Sequence, residues 1–131
     1  MYNRLGAMGL QWKGLPGKIQ DKLEESLLMN GDKMSEVGLS CFMKGSVMMG
    51  YEWKKSERVK ELIFGRIEQL YGGKGSQMGS ERELSAIIYN MGEIGLKWKE
   101  LSEEVQRSCF NGIEQCAHSC NSQEISNIIY G

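Results

Sequence analysis

Four cysteines and a single histidine are the residues that could do metal or nucleophilic chemistry: Cys41, Cys109, Cys116, Cys120 and His118. Three of the five crowd into the run Cys116-Ala117-His118-Ser119-Cys120. A structural zinc needs four ligands at a recognised spacing, and Cys-x-His-x-Cys with Cys109 upstream does not supply one. No metal or other cofactor is expected. One His without a matching Ser and Asp arrangement makes no catalytic triad. The acidic pairs Glu24-Glu25 and Glu103-Glu104 read as solvated or helix-starting residues, where carboxylates favour the positive helix end. The run Gly72-Gly73-Lys74-Gly75-Ser76 lacks the Gly-x-x-x-x-Gly-Lys-Ser/Thr order that cradles phosphate, so it reads as a loop. These absences lead to the expectation that the chain is not an enzyme.

Binding chemistry is better represented. Lys54, Lys55, Arg58, Lys60 and Arg66 form a basic strip, interleaved with Glu52, Glu57, Glu61 and Glu68. The strip reads either as a salt-bridged solvated face or as a line of phosphate contacts. The polar residues Glu36, Glu81, Arg82, Ser122 and Gln123 fall at helix starts and differ from one unit to the next, which makes them candidates for a ligand-reading surface.

The elements that position these residues are repeated. Gly9-Leu10-Gln11-Trp12, Gly50-Tyr51-Glu52-Trp53 and Gly95-Leu96-Lys97-Trp98 recur at spacings of 41 and 45 residues. A fixed period of this length marks stacked helical units. Upstream, Glu83, Ser85, Ile87, Ile88 and Tyr89 return as Glu124, Ser126, Ile128, Ile129 and Tyr130. Downstream, Val59, Phe64, Ile67, Glu68 and Gln69 return as Val105, Phe110, Ile113, Glu114 and Gln115.

Each unit reads as two helices. The first is expected over 35–49, 80–94 and 122–130, with the end of an earlier copy at 1–8. Ser80 with Glu83, and Asn121 with Glu124, have capping-box spacing. Leu84, Ile87, Ile88 and Met91 form an apolar stripe, and Gly95 follows it as a left-handed helix terminator, with Gly9 and Gly50 in the same place. The second helix is expected over 16–29, 56–71 and 102–118, with Pro16 in its first turn and Ser56 and Ser102 as N-caps. The short connection makes each pair antiparallel. Trp12, Trp53 and Trp98 lie in that connection and are expected to cover the corner, the ring N–H finding a carbonyl. Cys41, Cys109 and Cys116 align with small or apolar positions and are expected to pack in the core, as are Met43, Met48, Met49 and Met91.

The units divide as 1–34 (partial), 35–79, 80–120 and 121–131, the start of a further unit. The fold class expected is all-α, an α-α superhelix of antiparallel helix pairs. Ile125, Ile128, Ile129 and Tyr130 would lack the second helix of their own unit. A solenoid end is normally capped by a polar face, so the chain reads as a window of a longer repeat protein or as one whose ends pack on another copy.

Composition is compatible with this. Of 131 residues, 40% are hydrophobic and 25% charged, and 16 Lys+Arg against 17 Asp+Glu leave a net charge of −1. That excludes nucleic-acid binding through bulk positive charge. No signal peptide or membrane span is legible, so an intracellular protein, cytoplasmic or organellar, with free thiols is expected.

The run Leu84-Ser85-Ala86-Ile87-Ile88-Tyr89-Asn90-Met91-Gly92-Glu93-Ile94-Gly95, followed by Trp98 and Leu101, resembles the octotricopeptide-like helical repeats of algae and protists, which often accompany a RAP domain. The fragment Ser126-Asn127-Ile128-Ile129-Tyr130 is similar to the same pattern. The resemblance implies single-stranded RNA binding in organelle gene expression, without catalysis. The residues themselves are equally compatible with a protein–protein scaffold, so the partner expected is RNA or protein.

Overall fold

A computed structural model describes residues 8–72, 81–116 and 122–130. Six α-helices lie among them and no strand: α1 (Gly17–Asn30), α2 (Glu36–Met49), α3 (Glu57–Tyr71), α4 (Glu81–Glu93), α5 (Glu103–Cys116) and α6 (Ser122–Tyr130). These bounds agree with the expected ones to within a few residues.

The local chemistry explains the starts. Ser35 Oγ accepts from the Gly38 amide at 3.0 Å, Ser56 Oγ from Val59 at 3.4 Å and Ser102 Oγ from Val105 at 3.3 Å. Each thereby satisfies an amide that the first helical turn leaves without an intrahelical partner. Pro16 is one position earlier than expected: it is the N-cap of α1, with extended backbone, and its carbonyl accepts the amides of Ile19 and Gln20. The capping boxes expected at Ser80 and Asn121 lie outside the described residues, as do the earlier helix expected over residues 1–7 and the glycine-rich loop over 73–79.

Left-handed glycines set the stops of α2 and α4. Gly9, Gly50 and Gly95 have φ of 82°, 67° and 87°, and no other described residue has positive φ. A side chain at that φ crowds its own backbone, so glycine ends the helix at least cost.

Each Trp then opens a short 3-10 turn: Trp12–Gly14, Trp53–Lys55 and Trp98–Glu100. The connection is therefore a built corner. In two units a glutamine eight residues on clamps it, Gln20 Nε2 donating to Trp12 O at 2.8 Å and Gln106 Nε2 to Trp98 O at 2.9 Å. The middle unit has Glu61 at that place, and a carboxylate has no proton to donate.

Helices pack on every second neighbour. α2 packs on α4 and α4 on α6, while α1 packs on α3 and α3 on α5; α4 also touches α5. The apolar stripes meet in one continuous core. Leu39 and Met43 of α2, Ile63 and Ile67 of α3, Leu84 and Ile87 of α4 and Val105 of α5 are all essentially without solvent contact. Each such side chain contributes about 1.5–3 kcal/mol relative to an exposed one. Two tyrosine hydroxyls tie the elements together, Tyr51 donating to Glu24 Oε1 at 2.9 Å and Tyr71 to Glu36 Oε2.

Candidate functional site

The three Trp corners share a sequence but not an environment. Trp53 is completely buried, between Phe42 and Phe64 at ring-centroid distances of 6.3 and 6.4 Å. Its ring N–H meets no acceptor among the described residues, contrary to the expectation that each Trp finds a carbonyl. The corner is packed so closely by apolar groups that no carbonyl reaches the indole, and such an unmet donor costs about 1–3 kcal/mol. Trp12 is half-buried and stacks on Tyr51, centroids 4.0 Å apart. Trp98 is 45% exposed, and its neighbour Phe110, 4.9 Å away, is 60% exposed.

Trp98 and Phe110 form one wall of a groove of about 350 Å³. Met91, Leu96, Ile113 and Ile128 of α6 also line it, and the buried Cys109 lies at its floor. Ile125 and Ile129 of α6 add further exposed apolar surface, Ile129 being 78% exposed. The groove is lined overwhelmingly by apolar groups, and its one charged neighbour is Lys97. Burial pushes the Cys109 thiol up to about 11, so this cysteine is a neutral apolar group at physiological pH and not a nucleophile.

Four of the five residues of the expected basic strip are engaged within the chain. Lys54 Nζ donates to Gly95 O at 3.0 Å. Lys55 pairs with Glu52, whose carboxyl is held below its ordinary range by that lysine, and Lys60 pairs with Glu57 at 3.1 Å. Arg66 donates to Met34 O at 2.6 Å and to Gln69 Oε1 at 2.8 Å. Arg58 is exposed and borders a shallow groove with Asp21, Glu24 and Glu25.

The expected reading surface is also divided. Glu36 is half-buried and receives the Tyr71 hydroxyl, so its carboxylate ties α2 to α3. Arg82 is exposed on α4, and Ser122 and Gln123 are exposed on α6. The side chain of Glu81 lies outside the described residues. Cys41, expected in the core, is exposed on α2, because its place on the helix turns away from the stripe of Leu39, Phe42 and Met43. Met43, Met49 and Met91 are buried as expected, and Met48 is half-buried. Among the described residues no three His, Cys, Asp or Glu groups are placed to hold a metal. The side chain of Cys116, together with His118 and Cys120, lies outside them. No described helix is long and apolar enough to cross a membrane.

Sequence reasoning missed the groove. Its signal was present, because Phe110 recurs at the place of Phe64 and Trp98 at that of Trp53. The difference lies in what covers each pair. Comparison with protein-family models, with curated proteins and with solved structures returns no match.

Proposed function

We propose that this chain is a non-catalytic helical-repeat scaffold, its antiparallel pairs forming an α-α superhelix, and that it binds protein through the open Trp98–Phe110 groove. The observation that carries this reading is that two corners of one Gly-x-x-Trp pattern stand in different states. Trp53 is sealed beside a half-buried Phe64, whereas Trp98 stands open beside an exposed Phe110. An apolar cleft with an aromatic rim suits a helix-borne apolar segment, as in grooves that accept amphipathic helices.

The geometry favours protein over RNA. Four of the five residues of the basic strip already bond within the chain, and the net charge is −1. A stacked-repeat RNA reader needs several free polar or cationic side chains in register.

The test is a labelled peptide of residues 87–96, whose Gly95 carbonyl accepts from Lys54, the residue after Trp53, in the intact chain. It is expected to bind the full chain at micromolar affinity, about −8 kcal/mol, with little dependence on salt. Trp98→Lys is expected to weaken it at least about tenfold. Absence of peptide binding, together with single-stranded RNA binding that falls steeply with salt, overturns the reading.

A further inference from the structure

Asparagine followed by glycine is a chemically unstable pair, and the chain holds two of them, Asn30-Gly31 and Asn111-Gly112. The reaction is internal. The backbone nitrogen after the asparagine attacks its side-chain Cγ, and glycine, having no Cβ, leaves that approach open. By sequence the two pairs are equivalent. In the fold they are not.

Asn111 lies within α5, and its amide is engaged at both ends. Nδ2 donates to Tyr71 O, and Oδ1 accepts from Gln115 Nε2 at 3.4 Å. Gly112 is buried, and a Cβ built there would lie 3.0 Å from Leu84 and 3.2 Å from Tyr71. Bringing the Asn111 Cγ onto the Gly112 nitrogen breaks both bonds and opens a packed helix. Asn30, by contrast, is the last residue of α1 and is exposed. Its backbone has already left helical geometry, with φ of −118°. Its Nδ2 donates to Ser26 O at 3.0 Å, a bond within its own helix. The Gly31 amide donates to Leu27 O, which closes the last turn of α1. Fraying of that one turn frees both reacting groups, and helix ends open at far lower cost than packed segments do.

We infer that Asn30 is a site of spontaneous covalent modification, converted through a succinimide to an aspartyl or isoaspartyl residue. The Gly31 nitrogen gives up its proton and bonds to the Asn30 Cγ. The Cγ–Nδ2 bond breaks, and the side-chain nitrogen leaves as ammonia with that proton. One water then opens the ring, at Cγ to give aspartate, or at the backbone carbonyl carbon to give isoaspartate with the chain running through Cγ. No electrons change hands. Either product sets a carboxylate at the C-terminal end of α1, among carbonyls that disfavour negative charge, and removes the donor to Ser26. The isoaspartyl form also lengthens the main chain beside Gly31, where a Cβ would already lie 2.5 Å from Leu62 Cδ2 of α3. Conversion therefore loosens the end of α1 against α3.

Incubation of the full chain at neutral and mildly alkaline pH, followed by digestion and mass spectrometry with fragmentation, tests it. Asn30 is expected to gain the mass of an amide-to-acid exchange at least about tenfold faster than Asn111. The rate is expected to rise with pH, because the attacking nitrogen must lose its proton. In denaturing urea the two sites are expected to convert at similar rates, which isolates the contribution of the fold. Asn30→Gln, at an exposed position, is expected to abolish the gain in its own peptide and leave Asn111 unchanged. Asn30→Asp is expected to have a lower urea midpoint than Asn30→Gln, and equal midpoints overturn the loosening assigned to the product. Equal rates at Asn30 and Asn111 in the folded chain overturn the inference, as does a folded chain whose Asn30 stays intact while the denatured chain converts.

Discussion

The Trp53 and Trp98 corners are built from the same residue types and end in different states. Both follow a left-handed glycine, both open a 3-10 turn, and both set an indole beside a phenylalanine of the next helix. Trp53 is sealed and Trp98 is open. What differs is their surroundings: Phe42 and Phe64 flank Trp53, and Lys54 beside it donates to the Gly95 carbonyl. A Trp that is part of the core in one unit is therefore exposed in another, in corners that share Gly and Trp but differ at Tyr51 and Leu96 and at Glu52 and Lys97.

The widest expected gap between the two corners is in stability. Trp53→Ala removes a fully enclosed indole and is expected to cost about 3–5 kcal/mol in urea unfolding. Trp98→Ala, at a half-exposed site, is expected to cost about 1 kcal/mol or less. Equal costs would mean that the groove is closed in solution and would break the comparison.

A smaller effect distinguishes the floor of the open corner. Cys109 ionises near 9 when unfolded and near 11 in the fold, because burial opposes the thiolate. Its contribution is intact below about pH 9 and is lost as pH rises through about 11, when the unfolded thiol is ionised and the buried one resists. Unfolding measured across that window is expected to show a loss of about 2–3 kcal/mol in wild type. In Cys109→Ala that loss is absent, and an unchanged alkaline slope in the variant would show that the floor of the groove is wet.

The smallest expected effect concerns the two corner lysines. Lys54→Met removes a bond to a backbone carbonyl and is expected to destabilise by about 0.5–1 kcal/mol. Lys99→Met is expected to be neutral within about 0.5 kcal/mol. A matching loss at Lys99 would mean that it already has a partner within its own chain.

Much of the helical layout was legible in the residues. Ser56 and Ser102 cap where their spacing to the apolar stripe required, and Gly50 and Gly95 end helices ahead of two of the three Trp. These features are local: a hydroxyl reaches an amide three residues on, and a left-handed residue is strained unless it is glycine. Side-chain partners across units were not legible. Glu36 reads as a free surface carboxylate, yet the Tyr71 hydroxyl reaches it from 35 residues away. Lys54 and Arg66 read as part of a basic strip, yet backbone carbonyls at Gly95 and Met34 engage them. Cys41 reads as a packing residue by alignment with Ala86, yet that place lies off the buried stripe, where Ala86 is half-buried and Cys41 is in solvent.

The pattern of residues thus dictated where helices begin and end, which stripes are apolar, and that one corner is repeated three times. Those properties depend on neighbours within a few residues. Packing settled which corner is sealed, which lysines are engaged and where apolar surface stays exposed. Burial belongs to the space between elements, and three copies of one corner meet different neighbours there.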